Sequence, residues 1–157
     1  MENKILTTEY KTATYDELSP KDRELAELAR AATFRSYAPY SRFKVGAAIL
    51  LDNGEIIEGA NQENVAFPSG TCAERTACYY AHATYPEAKF VRIAIAARGT
   101  DDKFVSDPIA PCGACRQALL EYETLAGHDV EVILCSDSGV AIFPSVKSLL
   151  PLCFSEF

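Results

Sequence analysis

Two short cysteine-bearing segments, Thr71-Cys72-Ala73-Glu74 and Pro111-Cys112-Gly113-Ala114-Cys115, constrain this chain of 157 residues more than any other feature. Each opens a helical pattern that follows a strand-like stretch. Cysteines three apart in a first helical turn lie on one side, so Cys112 and Cys115 can grip a single ion. Helix N-termini carry partial positive charge, which lowers thiol pKa and favours the thiolate that zinc requires. With Cys72 as a third thiolate, a fourth position stays open to water, as in catalytic rather than structural zinc sites. Glu74 separates these cases. Helix neighbours two apart point about 200° away from each other. Cys72 must therefore stand at the helix cap if it and Glu74 are to face one ion. Glu74 is then not a ligand but a proton carrier beside a zinc-bound water.

Each segment alone has plainer readings. Thr71 and Glu74 fit a capping box, with threonine as N-cap and glutamate three later. Cys112 and Cys115 fit a redox pair. They also fit half of a four-cysteine structural zinc site completed by Cys135, although Cys135 ends an apolar strand, where a buried structural thiol is the ordinary role. Together the two segments are far more specific than either part, and they match the three-cysteine arrangement of zinc deaminases.

The length suits one domain with a substantial core. A net charge of −7 and a pI near 4.8 disfavour phosphate backbones and anionic lipid, so neither nucleic acid nor membrane is an expected partner. No apolar run approaches the roughly 18–20 residues that cross a bilayer. The opening Met1-Glu2-Asn3-Lys4 lacks the basic-then-apolar layout of a secretion signal. A cytoplasmic protein with reduced thiols is expected, and its six cysteines call for a role other than disulfides.

Residues 1–18 show no period and read as an arm ahead of a domain spanning 19–157. Ser19-Pro20-Lys21-Asp22 is a helix start, and Leu25, Leu28, Ala29 and Ala32 give one apolar face. Phe34 falls off that stripe. Strands are expected over Phe43–Leu51 and Glu55–Asn61, joined by a turn at Asp52-Asn53-Gly54. A helix over Cys72–Ala83, a central strand over Phe90–Ala97 and a helix over Gly113–Thr124 follow. Strands at Val130–Cys135 and Val140–Phe143 and a helical turn within Ser145–Leu150 complete the order. The expected fold is a three-layer α/β/α architecture with one mixed five-stranded sheet.

The segments Tyr37-Ala38-Pro39-Tyr40-Ser41-Arg42-Phe43-Lys44-Val45-Gly46-Ala47-Ala48, Asn61-Gln62-Glu63-Asn64, Thr71-Cys72-Ala73-Glu74-Arg75-Thr76-Ala77 and Pro111-Cys112-Gly113-Ala114-Cys115-Arg116-Gln117 closely resemble the homotetrameric cytidine deaminases. The match covers roughly residues 20–154. The resemblance implies hydrolysis of free cytidine and 2′-deoxycytidine to the uridine products with release of ammonia, through a zinc-bound hydroxide attacking C4, in pyrimidine salvage. It implies that Cys72, Cys112 and Cys115 hold Zn²⁺, that Glu74 shuttles protons and that Arg75 bonds the ligand thiolates. Three thiolates and one Zn²⁺ sum to −1, which a guanidinium offsets. Ala73 would contact the pyrimidine through its backbone, Phe43 would pack on the base, and Asn61 and Glu63 would bond the ribose. Phe67 and Phe154 would complete sites on neighbouring subunits.

Read without the family, Phe43 suits a strand core, Asn61 a hairpin end and Glu63 a solvated loop. Arg75 and Arg116 occupy first helical turns, where the dipole does not favour a cation, and both therefore suggest a local anionic partner such as thiolate. His82 and His128 lack ligand spacing with the cysteines. The chain departs from the family in three places: phenylalanine rather than tyrosine at Phe67, a longer N-terminal arm, and Leu152-Cys153 before Phe154 in place of small polar residues. Three other readings share parts of this pattern. The acidic charge argues against a polynucleotide-editing deaminase, and Glu63 argues against a deaminase of nucleoside antibiotics. A structural zinc module would need a fourth protein ligand.

Overall fold

In the computed structural model, which describes residues 1–155, the elements in chain order are β1 (Lys11–Thr14), α1 (Pro20–Ala32), β2 (Lys44–Leu51), β3 (Ile56–Ala60), α2 (Ala73–Thr84), β4 (Phe90–Arg98), α3 (Gly113–Ala126), β5 (Glu131–Cys135) and β6 (Gly139–Phe143). The last two residues of the expected domain, 156 and 157, lie outside the described residues. Short 3₁₀ turns extend α1 through Thr33–Arg35 and follow β6 at Lys147–Leu149.

The sheet has six strands, in the order β1-β6-β5-β4-β2-β3, rather than the expected five. The extra one is β1, inside the segment read as an arm; it pairs antiparallel with β6 from Lys11 opposite Ile142 to Thr14 opposite Gly139. Its sequence, Lys-Thr-Ala-Thr, has no apolar alternation, because only Ala13 faces the core and the rest lies at the sheet's edge. Tyr10 stacks on Phe143 at 4.9 Å, and the Tyr15 hydroxyl donates to Ser136 O at 2.7 Å, so the arm is fastened at both ends of the strand. The sheet is mixed, as expected: β4 and β5 run parallel, and the other pairs are antiparallel.

Side chains alternate across the pleat and divide the core in two. Ala48, Leu50, Ala94, Ala96 and Ile133 face α1, where they meet Leu25, Ala26 and Ala29. Ala47, Ile49, Ile93, Ile95, Val132 and Leu134 face α2 and α3. Full burial of each large aliphatic side chain contributes about 1.5–3 kcal/mol relative to exposure. Small residues on β2, β3 and β4 let the helices approach closely. A Cβ at Gly59 would lie 2.5 Å from the Ala77 backbone N, so only glycine lets α2 sit this near β3. That contact fixes the height of the N-terminus of α2 above the sheet. Phe34, off the apolar stripe of α1, is exposed and lies beneath the Arg98 guanidinium at 3.8 Å.

Candidate active site

Both helices behind the sheet begin on a cysteine. Cys72 is the N-cap of α2, with φ −70° and ψ 154°, and Cys112 is the N-cap of α3, with φ −64° and ψ 162°. The extended cap turns each sulfur out of its helix and toward the neighbouring one. Cys115 follows one turn into α3 and points the same way. The three sulfurs lie within 4.8 Å of one another, and those of Cys72 and Cys112 are 3.9 Å apart. Tetrahedral zinc with bonds of about 2.3 Å places its sulfur ligands about 3.8 Å from each other, so this donor set fits zinc. Among the described residues this is the one such group of potential ligands.

Two of the plainer readings fall. Thr71 is not the N-cap of α2, and no capping box with Glu74 forms there. The Thr71 backbone instead exchanges two 2.9 Å hydrogen bonds with Gln62. Cys135 is buried in the core on the α1 side of the sheet, away from the cluster, and is no fourth ligand.

Electrostatics at the cluster favour negative charge. The Cys72 thiol is lowered to about 5, chiefly by a hydrogen bond from Cys115, then by bonds from Arg75 and Cys112. Cys115, donating to that thiolate and buried, is pushed up. The Arg75 Nη2 stands 3.7 Å from the Cys72 sulfur. Glu74, only 4% exposed, is raised above the usual carboxylate range by burial and by the adjacent Cys72 charge. An upward shift of this kind is the direction that suits a carboxyl to act as both general acid and general base.

Cys72 also forms part of the wall of a cleft of about 370 Å³, with Tyr40, Ser41, Asn61, Glu63 and Phe67 among its other lining residues. Four expected site residues, Asn61, Glu63, Phe67 and Cys72, thus meet at one opening. Ala73 is fully buried at the start of α2. Phe43 and Phe154 are not part of the cleft wall of a single chain.

Residues 19–126 match the model of the cytidine and deoxycytidylate deaminase zinc-binding region. The chain belongs to this family. It is 41% identical over 120 residues to a cytidine deaminase of Halalkalibacterium halodurans, an alignment covering 76% of this chain and 83% of that one. A cytidine deaminase of Sporosarcina psychrophila is 36% identical over 82% of this chain and 87% of its own length. The crystal structure of cytidine deaminase from Burkholderia pseudomallei superposes with a TM-score of 0.72 at 37% identity, covering 87% of this chain and all of that one. The chain is therefore a zinc-dependent enzyme of the cytidine deaminase family, and the placing of its three cysteines is consistent with zinc binding.

Within this deaminase the cleft is held open by its own backbone. Asn61 accepts the Val45 N–H at 2.8 Å and the Ser36 hydroxyl, and donates to Phe43 O at 3.0 Å. Glu63 accepts the Tyr40 N–H at 2.8 Å and the Ser41 N–H at 3.2 Å; the Ser41 side chain first, then these two N–H groups, hold its carboxyl below the usual range. Arg42, with φ +55°, turns the chain so that this becomes possible; a left-handed arginine costs about 1–2 kcal/mol. Residue-type reasoning gave no role to Ser36, Tyr40 or Ser41, since two of these three act through, or upon, backbone groups.

The two first-turn arginines behave differently. Arg75 meets a thiolate, as the dipole argument suggests. Arg116 does not: its Nε donates to Pro111 O at 2.7 Å and its Nη1 to Leu149 O at 2.8 Å.

Proposed function

We propose that this enzyme hydrolyses free cytidine and 2′-deoxycytidine to uridine and 2′-deoxyuridine with release of ammonia. The observation that carries the reading is a buried carboxyl, Glu74, beside a three-thiol cluster that opens through Cys72 onto a nucleoside-sized cleft. Cys72, Cys112 and Cys115 would hold zinc, which would supply the Lewis acidity that favours deprotonation of a water near neutral pH. Glu74 takes the proton of that water and places it on N3 of the pyrimidine, leaving C4 electron-poor. The water oxygen bonds to C4, and Glu74 carries its remaining proton to the amine, which leaves as ammonia when the C4–N bond breaks. Arg75 and the amino ends of α2 and α3 balance the thiolate charge.

Asn61 keeps one amide N–H beyond its bond to Phe43, and Glu63 keeps lone pairs beyond those given to Tyr40 and Ser41. Both have capacity for a ribose hydroxyl. Phe43 would pack on the base and the Ala73 backbone would contact it. Phe67, 76% exposed, and Phe154 would serve sites on neighbouring copies in a homotetramer. The domain of 19–157, its sheet extended by β1 from the segment 1–18, then works in cytoplasmic pyrimidine salvage. Among the described residues no helix is long and apolar enough to cross a membrane. The acidic charge favours a free nucleoside over a polynucleotide.

Ultraviolet absorbance of cytidine and deoxycytidine mixed with zinc-loaded protein tests this directly. Wild type should erase the cytosine spectrum, and Glu74→Gln should keep its zinc yet lose at least about 10²–10⁴ in rate. Normal turnover by Glu74→Gln, or an unchanged spectrum with zinc-loaded wild type, would overturn the reading.

A further inference from the structure

Three polar side chains of α3, Glu123 buried, Arg116 part-buried and Gln117 exposed, grip the backbone of the segment after β6. Glu123, 8% exposed, accepts N–H bonds from Val146 at 2.6 Å and Lys147 at 3.1 Å. Arg116 holds Leu149 O while its other edge holds Pro111 O, the carbonyl next to the ligand Cys112. Gln117 completes the set: its Nε2 donates to Phe154 O at 2.7 Å, and its Oε1 accepts the Phe154 N–H at 3.4 Å. These grips use backbone groups, so they are indifferent to the identity of the residues held. That explains how the unusual Leu152-Cys153 is accommodated ahead of Phe154.

The Gln117 contact is the most specific of the three. One primary amide engages both the donor and the acceptor of a single residue, copying the paired bonds that two residues of an antiparallel ladder exchange. A ladder residue has a fixed Cα–Cβ direction, and the same paired bonds set that of Phe154, although it belongs to no strand. Gln117 lies two residues after the ligand Cys115, on the same rigid helix. The Cα–Cβ direction of Phe154 is thereby referred to the three-cysteine end of its own subunit.

We propose that Gln117 is a positioning residue for nucleoside binding, acting by fixing the Phe154 backbone so that its ring is presented to the site it completes. The proposal rests on the reading of Phe154 given above. Gln117→Leu keeps the side-chain volume and removes both bonds. In the zinc-loaded enzyme it should raise KM for cytidine about three- to tenfold, the equivalent of one or two hydrogen bonds, with kcat changed less than about twofold. Amide hydrogen exchange at Phe154 should speed up, while zinc content stays that of wild type. Phe154→Ala should raise KM at least as much, and adding Gln117→Leu to it should change nothing further.

A normal KM for Gln117→Leu beside a raised KM for Phe154→Ala would overturn the proposal. So would additive effects in the double variant, which would mean that Gln117 acts elsewhere. A normal KM for Phe154→Ala would instead remove the role of Phe154 itself, and the proposal with it.

Discussion

Cys72, Cys112 and Cys115 stand on helix ends packed against central strands, with Glu74 beside them 4% exposed; along the same cleft, Phe67 is 76% exposed and meets only the edge of Tyr40, at 6.0 Å between ring centres. The metal end is complete within one chain. Its ligands come from two adjacent helices whose starting heights are fixed by close packing, such as that of Ala77 on Gly59. The cleft end is different. Its polar residues are partly spent on holding their own loops, and its aromatic residues point outward. One half of such a site is specified by close packing within a single chain, and the other half lies on exposed loops, where the proposed reading adds a neighbouring copy. Changes at the metal end should therefore abolish chemistry, whereas changes in the cleft should alter binding by degrees.

The largest effect is expected at Cys115. Cys115→Ala leaves two thiols for a zinc ion, and the variant should lose zinc on dialysis against a chelator and lose turnover to background. It should also melt lower than zinc-loaded wild type, since a ligand at a hundred times its Kd contributes about 2.7 kcal/mol of stability. Metal analysis and thermal unfolding check both. Stoichiometric zinc in Cys115→Ala would break the comparison, because the metal end would no longer depend on all three sulfurs.

Much of the metal end was legible in the sequence because each inference used a local rule with a physical cause. A helix cannot point residues 72 and 74 at one ion unless residue 72 is the cap, and Cys72 is the cap. Ser19-Pro20 starts α1, the Ser19 hydroxyl accepting the Asp22 N–H at 3.2 Å, and Gly54, with φ +90°, makes the expected hairpin turn. What escaped depends on partners distant in sequence. β1 is a strand because β6 offers it an edge, not because Lys-Thr-Ala-Thr has strand periodicity. Arg42 takes a left-handed conformation that nothing in an arginine announces. For Arg116 the dipole argument supplied a thiolate, yet the guanidinium found two carbonyls, one of them 33 residues away. The dipole says that a first-turn cation needs a partner; it does not say which.

An intermediate effect is expected at Asn61, which belongs to both regions at once. Its side chain ties the beginning of β2 to the end of β3 through Val45 and Phe43, and the same side chain borders the cleft. Asn61→Ala leaves a part-buried N–H and C=O without partners, a loss of about 1–3 kcal/mol. The melting temperature should fall and KM should rise more than kcat falls, with zinc retained. If the variant lost its zinc as well, the two ends of the site would be one cooperative unit, and the division drawn between them would fail.

The smallest effect is expected at Phe67, where the family commonly has tyrosine. The ring lies at the mouth of the cleft and lends it an apolar face toward Tyr40. If its contribution is packing alone, Phe67→Tyr should change kcat/KM by less than about threefold, within the small range of exposed-site substitutions. Phe67→Ala, which removes the ring, should raise KM more clearly while leaving kcat and zinc content in place. The pair of variants separates surface from hydroxyl. A large gain in kcat/KM from Phe67→Tyr would mean that the phenolic oxygen finds a polar partner when the cleft is complete. Since the aromatic partner of Phe67 among the described residues is Tyr40, a new polar partner would be sought on a neighbouring copy, and the oligomeric state of the active enzyme would then decide the matter.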